Sequence, residues 1–179
     1  MASAHNELHW YAPDPRAILE HHHLRVSRSL RATIRKGRFE IRVDTAFEAV
    51  MRACATPRAA DDSTWISEEF IQVYTILHRH HFAHSIEAWD AGYLVGGLYG
   101  VSIGAAFMGE SMFSRLPDAS KVCLVALVER LRSRGYTLHD TQFLTPHLER
   151  MGATLIPRTV YEQRLEEALA IPCTFRDTT

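Results

Sequence analysis

Glu110 interrupts an otherwise apolar run, Ala105–Phe113. A carboxylate inside a strand pattern is costly to bury alone, so such a group belongs at a pocket wall or in a pair. Asp140 and Gln142 stand two apart in an extended stretch and point to the same side of it. On residue type alone, Asp140 reads as a strand-end cap and Gln142 as a surface turn. A second chemistry is suggested by Arg25–Arg42, where seven basic residues (Arg25, Arg28, Arg31, Arg35, Lys36, Arg38, Arg42) accompany a single acid, Glu40. Such a run is either a solvated helix face followed by a strand edge or a phosphate-contacting patch. Of the twenty basic residues, eighteen are Arg, the residue suited to bidentate phosphate contact. No aromatics interleave with the cluster, so stacking of single strands is not indicated. His21–His23 cannot all face one ion from a regular element, and a strand beginning near His84 breaks the helix face that His78, His81 and His84 would share. These read as structural histidines, and no metal is expected.

The elements that must position these groups follow from local pattern. Ser27 caps a helix to Lys36 and Gly37 stops it. Phe39–Val43 alternates as a strand, and Asp44 or Thr45 caps a helix to about Ala55. Pro, Ala and acids make Thr56–Ser63 a loop. Ser67, with Glu68 and Glu69 at the favourable end of the dipole, opens a helix to about His80. Three strands, 84–89, 93–101 and 105–113, form an antiparallel meander with turns at Asp90-Ala91-Gly92 and Ser102-Ile103-Gly104. A helix over 118–134, with Asp118 or Ser114 as cap, is apolar from Val122 to Val128 and must lie against a sheet. Tyr136–Thr141 is the next strand, Thr145 caps a short helix over 146–151, and a last helix runs from Thr159 to Ala170. Strand, polar turn and buried helix around Glu110 form a place to hold a substrate.

Composition bounds the answer. A chain of 179 residues with 46% hydrophobic content builds a sizeable core. Residues 1–9 are expected to be a disordered tail and 10–179 a single domain. No apolar run approaches the roughly 20 residues that span a bilayer, and the N-terminus has no charged, apolar leader pattern, so a cytoplasmic protein without membrane contact is expected. Cys54, Cys123 and Cys173 lack a CxxC and read as free thiols. Net charge hides an asymmetry: residues 1–58 carry ten basic and six acidic residues, residues 59–179 ten and fifteen.

The order meander, buried helix, returning strand predicts an α+β fold with a mixed sheet, similar to acyltransferases of the acetyltransferase-like (GNAT) kind. The glycine-rich coenzyme loop of those proteins is missing: Ser114-Arg115-Leu116-Pro117-Asp118 stands before the buried helix, so a pantetheine pyrophosphate would lack its cradle. An acyl donor other than coenzyme A is implied.

The stretch GGLYGVSIGAAFMGESMFSRLPDASK resembles the signature of the bacterial leucyl/phenylalanyl-tRNA–protein transferases. Further blocks agree in order: WYAPDPRAIL, VSRSLR, FEIRVDTAFEAVMRACA, TWIS, HSIEAW, DTQFLTPHLERMGA and IPR. The resemblance runs from about Trp10 to Leu165. Members usually carry a further N-terminal domain with an FPW-type segment; only nine residues precede Trp10 here, so that domain is expected to be absent.

The resemblance implies transfer of Leu, Phe or Met from the 3′ aminoacyl-adenosine end of tRNA to an N-terminal Arg or Lys. The same chemistry on a small-molecule amine, or a non-catalytic tRNA or peptide binder, are the alternatives. The donor ester is already activated, so no cofactor is needed. The resemblance points to Asp140 and Gln142 beside the attacking amine and to Glu110 holding the acceptor or Gln142. Asp140 would act as base, directly or by polarising Gln142, or would only fix the cationic acceptor. Leu98, Phe107, Gly109, Met112, Ser114, Leu124, Leu127 and Leu131 are the positions implied for binding the donor, with Trp65 stacking on the terminal adenine. Relatives often carry Phe where Leu127 and Leu131 stand, so a wider pocket is expected. Arg28, Arg31, Arg35, Lys36 and Arg38 fall where members place a basic cluster for tRNA.

Overall fold

Ser27, Ser67 and Thr145 each start a helix as their side chains predict, their hydroxyls accepting from Leu30 N, Phe70 N and Leu148 N at 3.1, 3.4 and 3.2 Å. They open α1 (Arg28–Arg35), α3 (Glu68–Arg79) and α5 (Pro146–Arg150) of a computed structural model that describes residues 11–56 and 64–177. The expected tail, Trp10 and positions 57–63 of the expected loop lie outside the described residues. α2 (Phe47–Ala55) is not capped by Asp44 or Thr45. The carboxylate of the buried Glu87 does this instead, accepting from Thr45 N at 2.9 Å and Ala46 N at 2.8 Å and from the Thr45 hydroxyl. Asp44 turns to a left-handed φ of 59° and pairs with His84.

The strands are β1 (Arg16–Ile18), β2 (Glu40–Val43), β3 (Ala83–Asp90), β4 (Tyr93–Ile103), β5 (Ala106–Ser114), β6 (Leu138–Gln142) and β7 (Thr154–Ile156). They form one sheet in the order β2-β3-β4-β5-β6-β1-β7, with every neighbouring pair antiparallel except β5 and β6. The predicted meander is β3-β4-β5, and the predicted returning strand pairs parallel to it. The three-residue strands β1 and β7 are too short for periodicity to announce.

Adjacent residues of β4 divide the core. Leu98 faces α4 (Ala119–Ser133) and packs with Leu124, Leu127 and Leu131; Tyr99 faces the other way, with Phe47, Val50 and Met51 of α2. Each fully buried leucine of α4 is worth about 1.5–3 kcal/mol against exposure. Gly96 lets α4 come this close: a Cβ there would stand 2.5 Å from the Cβ of Ala119. The last helix, α6 (Arg158–Leu169), covers β1 and β6 through Tyr161 and Ala168. After it, Phe175 returns to the core, stacked 4.3 Å from His84 and 5.4 Å from Phe107, with Arg130 donating to its carbonyl at 2.9 Å.

Candidate active site

β6 pairs with β5 only from Leu138 to Asp140, against Ala106–Met108. β5 then continues to Ser114 on the β4 side alone, while the chain turns away at Gln142, whose φ is 63°. Where the strands part, a cavity of about 1540 Å³ opens, walled by Gly109–Arg115, by Thr141–Phe143 and by side chains from α3 and α4. The pairing of β4 with β5 jumps within this wall: Gly100 faces Gly109 and Tyr99 faces Ser111. Glu110 is therefore the extra residue of a β-bulge, freed from cross-strand pairing so that its side chain can be re-aimed.

Asp140 is fully buried, and each of its oxygens is used twice. Oδ1 accepts from Arg16 Nε at 3.0 Å and Gln142 N at 2.8 Å; Oδ2 accepts from the Arg16 terminal nitrogen at 2.6 Å and the Tyr161 hydroxyl at 2.8 Å. Arg16 also lies over the Tyr161 ring, 4.9 Å from its centroid. With its main-chain N–H held by Asp140, Gln142 donates its side-chain Nε2 to Glu110 Oε2 at 3.2 Å and to Gly109 O at 3.3 Å. A continuous hydrogen-bonded line thus runs Arg16–Asp140–Gln142–Glu110. Burial pushes the Glu110 carboxyl above the ordinary glutamate range, against hydrogen bonds from Gln142 and Tyr74 that pull it down. Burial and the neighbouring Glu110 charge in turn raise the Tyr74 phenol.

The positions implied for the donor divide. Leu98, Gly109, Met112, Ser114, Leu124, Leu127 and Trp65 line the cavity, as do Glu110 and Gln142. Trp65 is half-buried, edge-on to Phe70 at 5.5 Å. Ser114 is exposed and caps α4, accepting from Ser120 N at 3.2 Å. Phe107 and Leu131 are fully buried outside the cavity lining; Phe107 is sealed off by Phe175 and His139, and Leu131 lies deep between helix and sheet. Asp140 also sits behind the wall, reaching the cavity through Arg16 and Gln142.

Arg28, Arg31, Arg35, Lys36 and Arg38 are all exposed, on α1 and the turn after it. Arg31 donates to Val26 O at 3.0 Å, and Arg38 lies over Phe39. Arg42, by contrast, pairs with Glu40 at 2.8 Å. His78 donates to Ala83 O at 2.8 Å and stacks on Phe47; His84 meets Asp44 at 2.7 Å. Asp44, His78 and His84 bring ligand-type atoms within 4.8 Å of one another, atoms that already serve the α3–β3 junction.

Sequence reasoning misses Arg16, Tyr74 and Tyr161 as partners of this line. Arg16 lies within WYAPDPRAIL, and its polar mixture directly before an apolar triplet was the available signal. Tyr161 and Tyr74 are helix aromatics, with nothing local to mark their reach.

The family model described as leucyl/phenylalanyl-tRNA protein transferase matches residues 18–166. A leucyl/phenylalanyl-tRNA–protein transferase of Rubrobacter xylanophilus is 56% identical over 176 residues, covering 98% of this chain and 90% of that one. Proteins of the same name from Herpetosiphon aurantiacus and Gloeobacter violaceus are each 55% identical, covering 94% of this chain and 87% and 86% of theirs. The match spans the bulged strand, the splayed β6 and the helix between them, so the chain belongs to the leucyl/phenylalanyl-tRNA protein transferase family.

Proposed function

We propose that this protein moves a hydrophobic amino acid, Leu, Phe or Met, from aminoacyl-tRNA to the N-terminal amine of an acceptor protein that begins with Arg or Lys. The carrying observation is the Arg16–Asp140–Gln142–Glu110 line, which reaches a largely apolar cavity through Arg16, Gln142 and Glu110, in a chain of this family. The amine nitrogen attacks the ester carbonyl and forms a tetrahedral oxyanion. Collapse breaks the bond to the terminal ribose oxygen, which leaves with the proton the amine gives up, and an amide remains. The ester is already activated, so the reaction calls for no cofactor.

Glu110 and the Gln142 carboxamide orient the incoming amine. Asp140 has both oxygens engaged, which favours a positioning role over direct proton abstraction: it fixes the Gln142 turn and holds Arg16 at the cavity edge. Arg16 then offers positive charge where the oxyanion develops. Leu98, Met112, Leu124 and Leu127 receive the donor side chain, and Trp65 flanks the terminal adenine. The exposed basic residues of α1 receive tRNA phosphates.

The diverging parallel pair β5 and β6 after a meander and a packed helix supports an acetyltransferase-like (GNAT) fold, with residues 10–179 as a single aminoacyltransferase domain. No helix among the described residues is long and apolar enough to cross a membrane, and the three free cysteines fit a reducing cytoplasm. Incubation with leucyl-, phenylalanyl- and methionyl-tRNA and a peptide beginning with Arg tests the proposal. Transfer to the peptide is expected. Discharge only with a metabolite extract would move the acceptor to a small molecule, and binding without discharge would leave a non-catalytic module.

A further inference from the structure

His139 is a polar side chain in the cavity wall that the mechanism above leaves unused. It sits on β6 between Leu138 and Asp140, is 3% exposed and lines the cavity. Its Nδ1 is buried with no hydrogen-bond partner. Its Nε2 lies 3.8 Å from where a Cβ on Gly109 would stand, on the wall that also holds Glu110 and Gln142. Phe107 closes one side of the ring, edge-on at 5.8 Å. The His21 ring is 6.3 Å away between centroids, too far for the two rings to bond directly, and its own Nε2 is unpartnered. Burial pushes the His139 imidazole down to about 3, so at neutral pH it is uncharged, with one N–H and one lone pair.

An occupant of the cavity meets the ring at Nε2, beside Gly109, and a polar tip there gives the buried imidazole a hydrogen bond. The neighbouring walls are Leu98, Met112, Leu124 and Leu127. An occupant suited to both needs an apolar body and one polar tip that can donate or accept. Leu and Phe leave the imidazole unanswered, and short polar side chains leave the leucines unfilled. We infer that His139 reads the donor side chain, and that the cavity takes a tyrosyl donor, its phenol against the imidazole, at least as well as a phenylalanyl one. The inference rests on the cavity being the donor site. Recognition of a hydroxyl by a buried partner discriminates far more sharply than an apolar wall can.

The test measures calorimetric binding of two stable donor mimics to the full chain and to His139→Leu. The mimics are 3′-amino-3′-deoxyadenosines carrying Tyr or Phe in amide linkage. Wild type should bind the tyrosyl mimic no more weakly than the phenylalanyl one. The substitution should weaken the tyrosyl mimic by at least about tenfold relative to the phenylalanyl one, the worth of one neutral hydrogen bond. An unchanged Tyr-to-Phe ratio in the variant, or a wild type that strongly prefers Phe, overturns the role of His139 while leaving the donor site standing. Failure of both mimics to bind wild type removes the donor-site reading and this inference with it. If His139→Leu does not fold, the wild-type ratio decides alone, and His139→Gln, which keeps a hydrogen-bonding tip, should retain more of the tyrosyl affinity than His139→Ala.

Discussion

Asp140 and Arg16 are a buried pair whose partners are 124 residues apart in sequence, and their value is best measured as a pair. Removing one member leaves the other charge uncompensated, at a cost of about 3–5 kcal/mol. Urea unfolding should therefore find Asp140→Asn and Arg16→Met each strongly destabilising and the double variant less so than their sum, with a coupling of about 1–3 kcal/mol. Additive losses would mean the two groups act separately. Glu110 carries the opposite sign. Burial raises its folded pKa, so its contribution favours folding below the unfolded glutamate pKa, about 4.3, and is lost as pH rises through the folded value. Glu110→Gln should accordingly raise Tm over wild type at neutral pH, the gain closing as pH falls toward the ordinary glutamate range. A gap that widens in acid would place Glu110 among stabilising carboxylates. A charge held at such a cost is expected where chemistry needs it. The suspicion about Glu110 was legible in sequence, because a carboxylate among strand residues violates a local rule. The occupancy of Asp140 was not, because Arg16 and Tyr161 come from elements that only the folded sheet brings together.

At the scale of elements, what could be read was what is local. Ser27, Ser67 and Thr145 announce their helices because cap and capped amide are three residues apart. α2 misleads because its cap arrives from β3, over 40 residues away in sequence: Glu87 takes the N–H groups of Thr45 and Ala46. Glu87→Ala should strand those donors and lower stability by at least about 2 kcal/mol, measured by thermal unfolding at neutral pH, whereas Asp44→Asn should leave α2 capped. Equal losses in the two would return the cap to Asp44. The bulge at Glu110 was likewise invisible, since it depends on how Tyr99 and Gly100 pair across the strand turn. Phe107 and Leu131 mark the limit of carrying positions over by resemblance: their strand and helix spacing suits ordinary core, and Phe175, from a segment with no pattern, fills the space beside Phe107.

Over the whole molecule, charge is divided between surface and site: exposed bases gather on α1 and its following turn, while the paired acids lie at the parted strands. If α1 grips tRNA, neutralising Arg35, Lys36 and Arg38 together should weaken binding and reduce the salt slope by roughly 2; an unchanged slope would detach α1 from the interface. The order of strands β3 to β6 could be anticipated from the meander and buried helix, but the placing of β1 and β7 beyond β6 could not, since three-residue strands carry no periodic signal. That placing matters, because β1 delivers Arg16 to Asp140. The central claim, that this line hands an activated ester to an amine, is tested most directly with Gln142→Glu, which keeps the main-chain bond to Asp140 and removes the carboxamide donor. Single-turnover transfer from leucyl-tRNA to an Arg-initiated peptide should fall by about 100-fold, with tRNA affinity within about twofold of wild type. Transfer at the wild-type rate, or transfer and tRNA affinity falling together, would contradict it.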